Sequence, residues 1–460
     1  MKIKVKNLGV LKQAEFTLGD LTIICGQNNT GKTYATYALF GFLSTWKQIL
    51  SIEISDNKIE ELLTDGVTHI DVEDYVKQAN QIVNKGCQAY SQKLSRVFAA
   101  QESLFKDAEF SIVLEDKDIN LETIIKHEIG SGKTSIFNIS NQEKTTELIV
   151  TLLVEQKEVK IPIEILKRMI SDSIKDIIFD KALARPFIAS AERTGAAIFR
   201  KELNFARNRL LEEMGKLDKD IDPIELLFKE YQDYALAIKT NVEFTRNLET
   251  ISKKNSFIAE EYPDILTDFS DIIGGEYTVT RNDELYYIPK GQRVKLTMDE
   301  SSSAVRSLLD IGFYLRHEAQ PNDLLMVDEP ELNLHPENQR KMARLFARLV
   351  NLGIKVYMTT HSDYIVKELN TLIMLKNDKP YLKDIAQRER YKSEELLSVE
   401  KIKVYIAEKA AIKLDGKTRK SQCHTLREAK ITQQFGIEAS SFDTTINEMN
   451  RIQEEIVWGE

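Results

Sequence analysis

The chain has 460 residues, enough for two or three domain-sized units, and a content of 42% hydrophobic and 29% charged residues is that of an ordinary globular protein. The formal net charge of -9 excludes a basic footprint over the whole molecule, so contact with nucleic acid would need a local basic patch or a partner. Three cysteines at unrelated spacings, Cys25, Cys87 and Cys423, indicate a reducing compartment without disulfides. Because no apolar run approaches about 18 residues and the N-terminus lacks a signal pattern, we expect a cytoplasmic protein with no membrane contact.

The first fifty residues predict short strands, a turn and a helix. Strands are predicted at 2–6, 14–17 and 21–25, and TYATYALFGFLSTWKQIL predicts a helix. Between the third strand and this helix, GQNNTGKT matches the spacing GxxxxGK[ST] at every fixed position. Strand, glycine-rich turn and helix in this order predict a P-loop.

The P-loop pattern predicts a phosphate-binding site. Its glycines allow backbone N–H groups to point inward at the helix N-terminus, where the helix dipole also favours an anion. We expect Lys32 to reach the β- and γ-phosphates of ATP and the Thr33 hydroxyl to bind Mg²⁺. The alternative is an ordinary glycine-containing turn. The predicted ATP-binding residues of the loop are Gly26, Gln27, Asn28, Asn29, Thr30, Gly31, Lys32 and Thr33.

A second Gly-Lys-Thr, at 132–134, does not complete the same pattern. His127 stands where the first glycine should be, and alternating residues follow instead of a long amphipathic helix. We interpret this segment as a polar hairpin turn.

Residues 51–264 predict an inserted lobe of helices and strands. A polar helical stretch at about 71–102 precedes four alternating segments, FSIVLED, GKTSIFNIS, TTELIVTLLVE and EVKIPIEI, which predict an antiparallel meander. A helix at about 164–183 and a strand within 185–195 follow.

Charged helices at about 198–254 end this lobe, and Asp222-Pro223 restarts one of them as N-cap and first helical residue. They could project as an antiparallel coiled coil or pack as a helical lobe. The apolar spacing is irregular and lacks sustained heptads, which favours the helical lobe.

Two hairpins and a serine run precede the next helix. Asn282-Asp283 and Lys290-Gly291 join alternating segments, as in β-hairpins. An amphipathic helix is predicted to begin near Ala304, and its N-terminus could bind an anion through backbone N–H groups and hydroxyls. The local alternative is a simple serine N-cap. The serines are Ser301, Ser302 and Ser303.

Two later strands end in polar residues. The apolar strand 324–327 is followed by Asp328 and Glu329, which predicts a Walker B element: Asp328 as a ligand of hydrated Mg²⁺ and Glu329 as the residue that orients and deprotonates the attacking water. A solvated acidic strand end is the alternative. A second apolar strand, 354–358, precedes His361, which is placed to sense a γ-phosphate.

The C-terminal residues 377–460 predict a short extension. The basic run at 413–430 could contact phosphate backbones or a partner, or form a solvated face. Cys423-His424 lacks companion ligands for a metal site. The last twenty or so residues predict a helix.

The motif order, GQNNTGKT, serines before a helix, DEPELNLHP and TTHS, resembles the ABC-type ATPase heads of the SMC, RecF and OLD lineage. DEPE-x-x-LHP is especially similar to OLD-like ATPases of antiphage systems. The resemblance implies two ATP molecules sandwiched between two heads, with residues 301–303 as the signature, Asn333 to His335 as the D-loop and His361 as the switch histidine. Residues 192–194 are a weak Q-loop candidate. Ala304 replaces a signature glycine, and no Toprim carboxylate set is present.

We therefore expect an α/β fold: an ABC-type P-loop ATPase head with a mixed sheet (1–50 and 265–376), an inserted helical and β lobe (51–264) and a C-terminal extension (377–460). The expected function is slow ATP hydrolysis that switches an associated effector, a nuclease of HNH or Toprim type, in antiphage defence, as in systems of the Septu and PARIS types. The alternative is a DNA repair or recombination ATPase similar to RecF and SMC proteins. Expected partners are a second copy of the chain, the effector and, through the local basic patch, nucleic acid.

Overall fold

The computed structural model describes residues 1–119, 121, 124–131, 134–141, 145–154, 162–200, 234–438 and 440–458. The chain forms two compact units, which are described separately. The first comprises Met1–Val5, Phe42–Lys93 and Ala108–Arg185, and the second comprises Lys6–Gly41, Leu94–Asp107 and Pro186–Glu460.

Strands and helices are labelled in chain order. The described strands are β1 (Lys2–Leu8), β2 (Leu11–Thr17), β3 (Leu21–Cys25), β4 (Val67–Asp71), β5 (Glu109–Val113), β6 (Lys126–Ser131), β7 (Thr134–Asn141), β8 (Glu147–Leu152), β9 (Pro186–Ala189), β10 (Gly275–Val279), β11 (Leu285–Pro289), β12 (Leu324–Asp328), β13 (Lys355–Thr360), β14 (Ile402–Lys413), β15 (Lys420–Glu428), β16 (Ile431–Thr432) and β17 (Gly436–Ile437). The described α-helices are α1 (Lys32–Ile49), α2 (Asp56–Asp65), α3 (Glu73–Val76), α4 (Ala79–Ser91), α5 (Leu94–Val97), α6 (Ile163–Phe179), α7 (Arg193–Ile198), α8 (Leu236–Arg246), α9 (Leu248–Ile251), α10 (Phe257–Glu261), α11 (Pro263–Ile273), α12 (Ser303–Ser307), α13 (Leu309–Phe313), α14 (Pro336–Asn351), α15 (Asp363–Leu375), α16 (Pro380–Arg388) and α17 (Ser440–Trp458).

The first unit contains an antiparallel sheet with the strand order β4-β8-β7-β6. Phe137, Ile139, Leu148 and Val150 are completely buried, as expected where one sheet face covers a core. The predicted meander is confirmed for β7 and β8. It is wrong for FSIVLED, because β5 lies beside β1, and for the end of EVKIPIEI, where α6 begins; residues 155–161 lie outside the described part of the chain.

The second Gly-Lys-Thr lies between β6 and β7. These strands pair antiparallel, with Ser131 opposite Thr134. A strand rather than a helix therefore begins at Thr134, in agreement with the hairpin interpretation. Gly132 and Lys133 lie outside the described residues.

In the second unit, strands follow the order β2-β15-β14-β3-β13-β12-β9. The strands from β14 to β9 run parallel, and β15 pairs antiparallel with β14. Every residue of β3 and β12 is buried, as expected for parallel strands covered on both faces. The α/β class and the mixed sheet confirm the predicted fold class. Because parallel strands end at a common edge, the residues that follow β3, β12 and β13 come together there.

The hydrophobic core of the second unit joins this sheet to helices. Val327 of β12 and Val356 of β13 belong to one buried cluster with Met342, Phe346 and Leu349 of α14. Helix α14 presents these residues on one face because they recur at spacings of three and four. The core thereby fixes the strand ends that carry the polar residues.

The predicted hairpins are present in the second unit. Strands β10 and β11 pair antiparallel, and Asp283 in the connecting turn has φ 58°. Beyond Gly291, at φ 74°, Leu296 forms a bridge to Tyr287. The helix predicted near Ala304 is interrupted: α12 ends before Leu308, whose φ and ψ are -106° and 3°, and α13 leads into a π-helical turn, Tyr314–Glu318.

The boundary that the sequence placed at residue 377 requires correction. Strand β14 pairs in parallel with the P-loop strand β3, with Val404 opposite Ile23, and β15 continues the sheet. Residues of the predicted extension therefore form part of the sheet that carries the P-loop. The pairing joins residues from opposite ends of the chain, which no local pattern reveals. Helix α17 confirms the predicted terminal helix.

Much of the predicted charged helical block lies outside the described residues. Residues 201–233, including Asp222-Pro223, belong to that part, whereas α8 and α9 follow it. None of the helices described is both long and apolar enough to cross a membrane.

Candidate functional site

The P-loop follows β3 at the carboxyl edge of the second unit's sheet. Gly26, Asn29 and Gly31 have φ values of 141°, 62° and 101°, which lie in the region that glycine adopts most easily. A Cβ atom at Gly26 would lie 2.4 Å from the carbonyl oxygen of Ala407 on β14. The close approach of β14 therefore requires the first glycine of the motif.

Lys32 begins α1, and its side chain turns into the loop. Its Nζ donates to the carbonyl oxygens of Gly26 and Gln27, both at 2.9 Å. Burial lowers the pKa of Lys32, and the carboxylates of Glu329 and Asp328 oppose this shift. The ammonium group thus lies in a partly desolvated site among carboxylates, where its charge acts strongly on a bound anion.

Thr33 and Asp328, the predicted Mg²⁺ ligands, lie together. The exposed Thr33 donates from its Oγ1 to Asp328 Oδ2 at 3.4 Å, and the Thr359 hydroxyl donates to Asp328 Oδ1. Burial raises the pKa of Asp328 to about 6, while the Thr359 hydrogen bond acts in the opposite direction. A hydroxyl and a carboxylate are the oxygen ligands that Mg²⁺ prefers, so these residues fit the ion.

Glu329 has an unusual backbone conformation. Its φ of 52° lies in the left-handed region, which costs on the order of 1–3 kcal/mol for a non-glycine residue. Its N–H lies 3.1 Å from the carbonyl oxygen of Thr359 and 3.3 Å from that residue's Oγ1. The side chain is 24% exposed, so water can reach the carboxylate.

His361 lies between two carboxylates. Its Nδ1 is 3.6 Å from Glu329 Oε1 and 3.4 Å from Glu331 Oε1. Glu331 also accepts hydrogen bonds from the Thr360 hydroxyl at 2.9 Å and the His361 backbone N–H at 2.8 Å. Sequence reasoning missed Glu331; its position two residues after Glu329 was the available signal.

Arg193 lies within the weak Q-loop candidate 192–194. Glu192 is exposed and accepts a hydrogen bond from the Tyr37 hydroxyl at 3.0 Å, whereas Arg193 is buried. The Arg193 guanidinium donates to four backbone carbonyls, those of Ser190, Ser307, Asp328 and Glu329. The motif pattern predicts a Q-loop candidate at this position, but it does not predict these four hydrogen bonds of Arg193.

The serine run makes local contacts. Ser301 Oγ donates to the Thr297 carbonyl at 2.7 Å, and Ser302 caps α12 by accepting from the Val305 N–H at 3.4 Å. No hydrogen bond among the described residues joins Ser301, Ser302 or Ser303 to the P-loop. The structure therefore brings together the P-loop, the strand-end carboxylates and the histidine, and it leaves the serines with local partners.

Arg306 and His335 of the predicted D-loop make local hydrogen bonds. Arg306 has intermediate exposure, and its Nη1 donates to the carbonyls of Met298 and Ser301 at 3.0 and 2.8 Å. Asn333 has φ 59°, and the His335 side chain caps α14.

The parallel sheet, the P-loop and the strand-end carboxylates define a P-loop nucleotide-binding protein. A model of the AAA ATPase domain family matches residues 1–366, and the chain belongs to this family. No curated protein matches the chain.

Several solved SMC heads align with the chain at low similarity. The SMC head domain from Thermotoga maritima is 10% identical, with a TM-score of 0.33, and the alignment covers 94% of this chain and 98% of that one. An SMC head bound to the C-winged helix domain of ScpA is 11% identical, with a TM-score of 0.33 and coverages of 92% and 97%. An SMC head with an extended coiled coil, bound to the C-terminal domain of ScpA derived from Pyrococcus furiosus, is 14% identical, with a TM-score of 0.30 and coverages of 99% and 98%.

Proposed function

We propose that this protein binds ATP with Mg²⁺ and hydrolyses it slowly, as a nucleotide-dependent switch. The observation that carries the proposal is the meeting of Lys32 and Thr33, at the start of α1, with Asp328 and Glu329, at the end of β12, where Thr33 and Asp328 share a hydrogen bond. Lysine, hydroxyl and carboxylates at one sheet edge are the groups that phosphoryl transfer requires.

Each residue has a role in the proposed reaction. The P-loop N–H groups and Lys32 bind the phosphates, and Thr33 with Asp328 holds Mg²⁺, which would neutralise charge on the phosphate oxygens. Glu329 orients a water molecule and accepts its proton, since its carboxylate is accessible and its backbone is fixed on both sides. His361 senses the γ-phosphate, and Glu331 holds the histidine in place.

In this proposal, the serines of one copy of the chain contact ATP that is bound to a second copy. By the resemblance to ABC-type heads, Ser303 contacts the γ-phosphate of ATP bound to the partner's P-loop, while Ser301 and Ser302 shape the segment through their own hydrogen bonds. The intermediate exposure of Ser303, at the first residue of α12, supports this assignment. ATP would bring two heads together, and hydrolysis would separate them.

The finer proposal is control of a nuclease effector in antiphage defence. It is supported by the similarity of DEPELNLHP to OLD-like ATPases. Purified protein with ATP and Mg²⁺ or Mn²⁺ should leave DNA and RNA intact, and the protein isolated from its native host should carry one dominant effector with nuclease activity. Cleavage by the rigorously purified chain would contradict this role.

Phosphate release and ATP affinity, measured on the wild type and on Lys32→Ala, test the ATPase. The wild type should bind and hydrolyse ATP, and Lys32→Ala should bind it weakly because a direct phosphate contact is lost. Lys133→Ala, in the second Gly-Lys-Thr, is the matched control and should behave as the wild type. Equal activity of the wild type and Lys32→Ala would refute the assignment of the P-loop.

A further inference from the structure

The Arg193 side chain is only 1% exposed, among the largest fully buried side chains that the structure describes. A buried guanidinium costs free energy unless hydrogen bonds and nearby charge compensate it. Arg193 Nε donates to the Ser307 carbonyl at 2.6 Å, and Nη1 donates to the Ser190 carbonyl at 2.8 Å. The remaining hydrogen bonds reach the end of β12.

Two of these hydrogen bonds fix the backbone on both sides of Glu329. Arg193 Nη1 donates to the Asp328 carbonyl at 2.6 Å, and Nη2 donates to the Glu329 carbonyl at 2.7 Å. These carbonyls belong to the two peptide groups that flank the Glu329 Cα. The N–H of the first peptide group is bonded to Thr359. Because both peptide planes are held, the positive φ of Glu329 and the direction of its side chain are held as well.

Arg193 Nε binds the serine segment, which comprises residues 301–307. Ser307 is the last residue of α12, the short helix that begins at Ser303. Its side chain also donates to the Leu332 carbonyl at 3.0 Å. Arg193 is therefore bonded both to the segment that carries the serines and to the backbone that carries Glu329.

We infer that Arg193 is a positioning residue that sets the orientation of Glu329 and couples it to the serine segment. When Ser303 contacts a phosphate of the partner's nucleotide, a displacement of α12 moves the Ser307 carbonyl. Arg193, which is bonded to this carbonyl, then shifts the backbone of Glu329. This inference rests on the proposed function, because it requires Glu329 to act in hydrolysis. It assigns the coupling to a residue outside the P-loop, Walker B and serine motifs.

An arginine suits this role because its planar guanidinium presents five donors in a fixed geometry. The carbonyls of Asp328 and Glu329 are successive acceptors for its two terminal nitrogens. A lysine keeps the positive charge but lacks the fork and cannot reproduce this arrangement. Arg193→Lys therefore separates orientation from charge.

The test compares Arg193→Lys with Arg200→Lys in the full-length chain. Arg200 is also buried, at 5% exposure, and donates to the carbonyls of Thr245 and Asp283 away from the nucleotide residues. In Arg193→Lys, kcat should fall by about tenfold to a hundredfold while KM and ATP affinity stay near the wild-type values, because a small displacement of a catalytic group slows chemistry without removing binding. Arg200→Lys should retain kcat at any temperature where both variants are folded.

Arg193→Gln, which removes the buried charge, is the second variant if Arg193→Lys does not fold, and the same separation of kcat from KM is expected. A wild-type kcat in folded Arg193→Lys or Arg193→Gln would overturn the inference. Equal losses of kcat in the Arg193 variants and in Arg200→Lys would show a merely structural role. Absence of turnover in the wild type would instead overturn the proposed function and, with it, this inference.

Discussion

The P-loop edge, where the residues that follow β3, β12 and β13 meet, differs from the serine segment, residues 301–307, in the reach of its hydrogen bonds. At the edge, hydrogen bonds join residues from distant parts of the sequence: Thr33 to Asp328 and Thr359 to Asp328. In the serine segment, Ser301 and Ser302 bond to residues three or four positions away. The nucleotide residues are thus assembled within one copy, whereas the proposed function of the serines requires a second copy.

The largest expected effect on the chemical step concerns the P-loop edge. Glu329→Gln should retain ATP binding and lower kcat by about 10²–10⁴-fold, because the amide cannot accept the proton of the attacking water. Nucleotide affinity and single-turnover phosphate release on the same preparation separate binding from chemistry. A wild-type rate of hydrolysis in Glu329→Gln would remove Glu329 as the general base.

The second prediction concerns the serine segment. Ser303→Arg should leave ATP binding by one copy intact and abolish ATP-dependent association and turnover, because a long charged side chain would occupy the approach of the partner's phosphate. Light scattering with and without ATP measures association. Ser252→Arg is a control on a partly exposed serine at the end of α9, remote in sequence from the motifs, and should associate normally. Association of Ser303→Arg at wild-type strength would return the serines to a capping role.

A smaller effect is expected at Glu331. Glu331→Gln keeps an oxygen that can accept from Thr360 and from the His361 N–H, but it removes the negative charge beside the imidazole. We expect a decrease of about tenfold in kcat with ATP affinity unchanged. Glu337→Gln removes an exposed carboxylate paired with Lys341 and is the matched control. If both variants hydrolyse ATP equally well, Glu331 does not position the histidine.

The smallest effect lies beyond the serine segment, at Asp310. Burial raises the pKa of this carboxyl to about 7, and Arg193 opposes the shift. The pKa of Asp310 is higher in the folded than in the unfolded chain. The contribution of its protonated carboxyl to the free energy of unfolding is therefore fully present below about pH 4 and is lost as pH rises to about 7. Asp310→Asn should therefore flatten the decline of melting temperature between pH 5 and pH 8. The same change of melting temperature with pH in the wild type and in Asp310→Asn over this range would contradict the prediction.

The predictable part of the site is the part with fixed local spacing. Gly26 to Thr33 and the pair Asp328 and Glu329 adjoin buried apolar strands, so both their chemistry and their place at the sheet edge follow from sequence. Arg193 and Glu331 could not be assigned because their roles come from hydrogen bonds between segments distant along the chain. The same reason explains why local sequence patterns do not predict the pairing of β14 with β3.

The most direct test of the central claim, that the serines of one copy complete the nucleotide site of another, is turnover in a mixture of two inactive variants. Ser303→Arg retains a native P-loop, and Lys32→Ala retains native serines, so a mixed dimer contains one complete composite site. Because neither variant is expected to associate with itself in ATP, dimers form between the two variants, and equal mixing should restore up to about half of wild-type turnover, since each mixed dimer has one of two sites. No recovery in dimers shown to be mixed would contradict the claim.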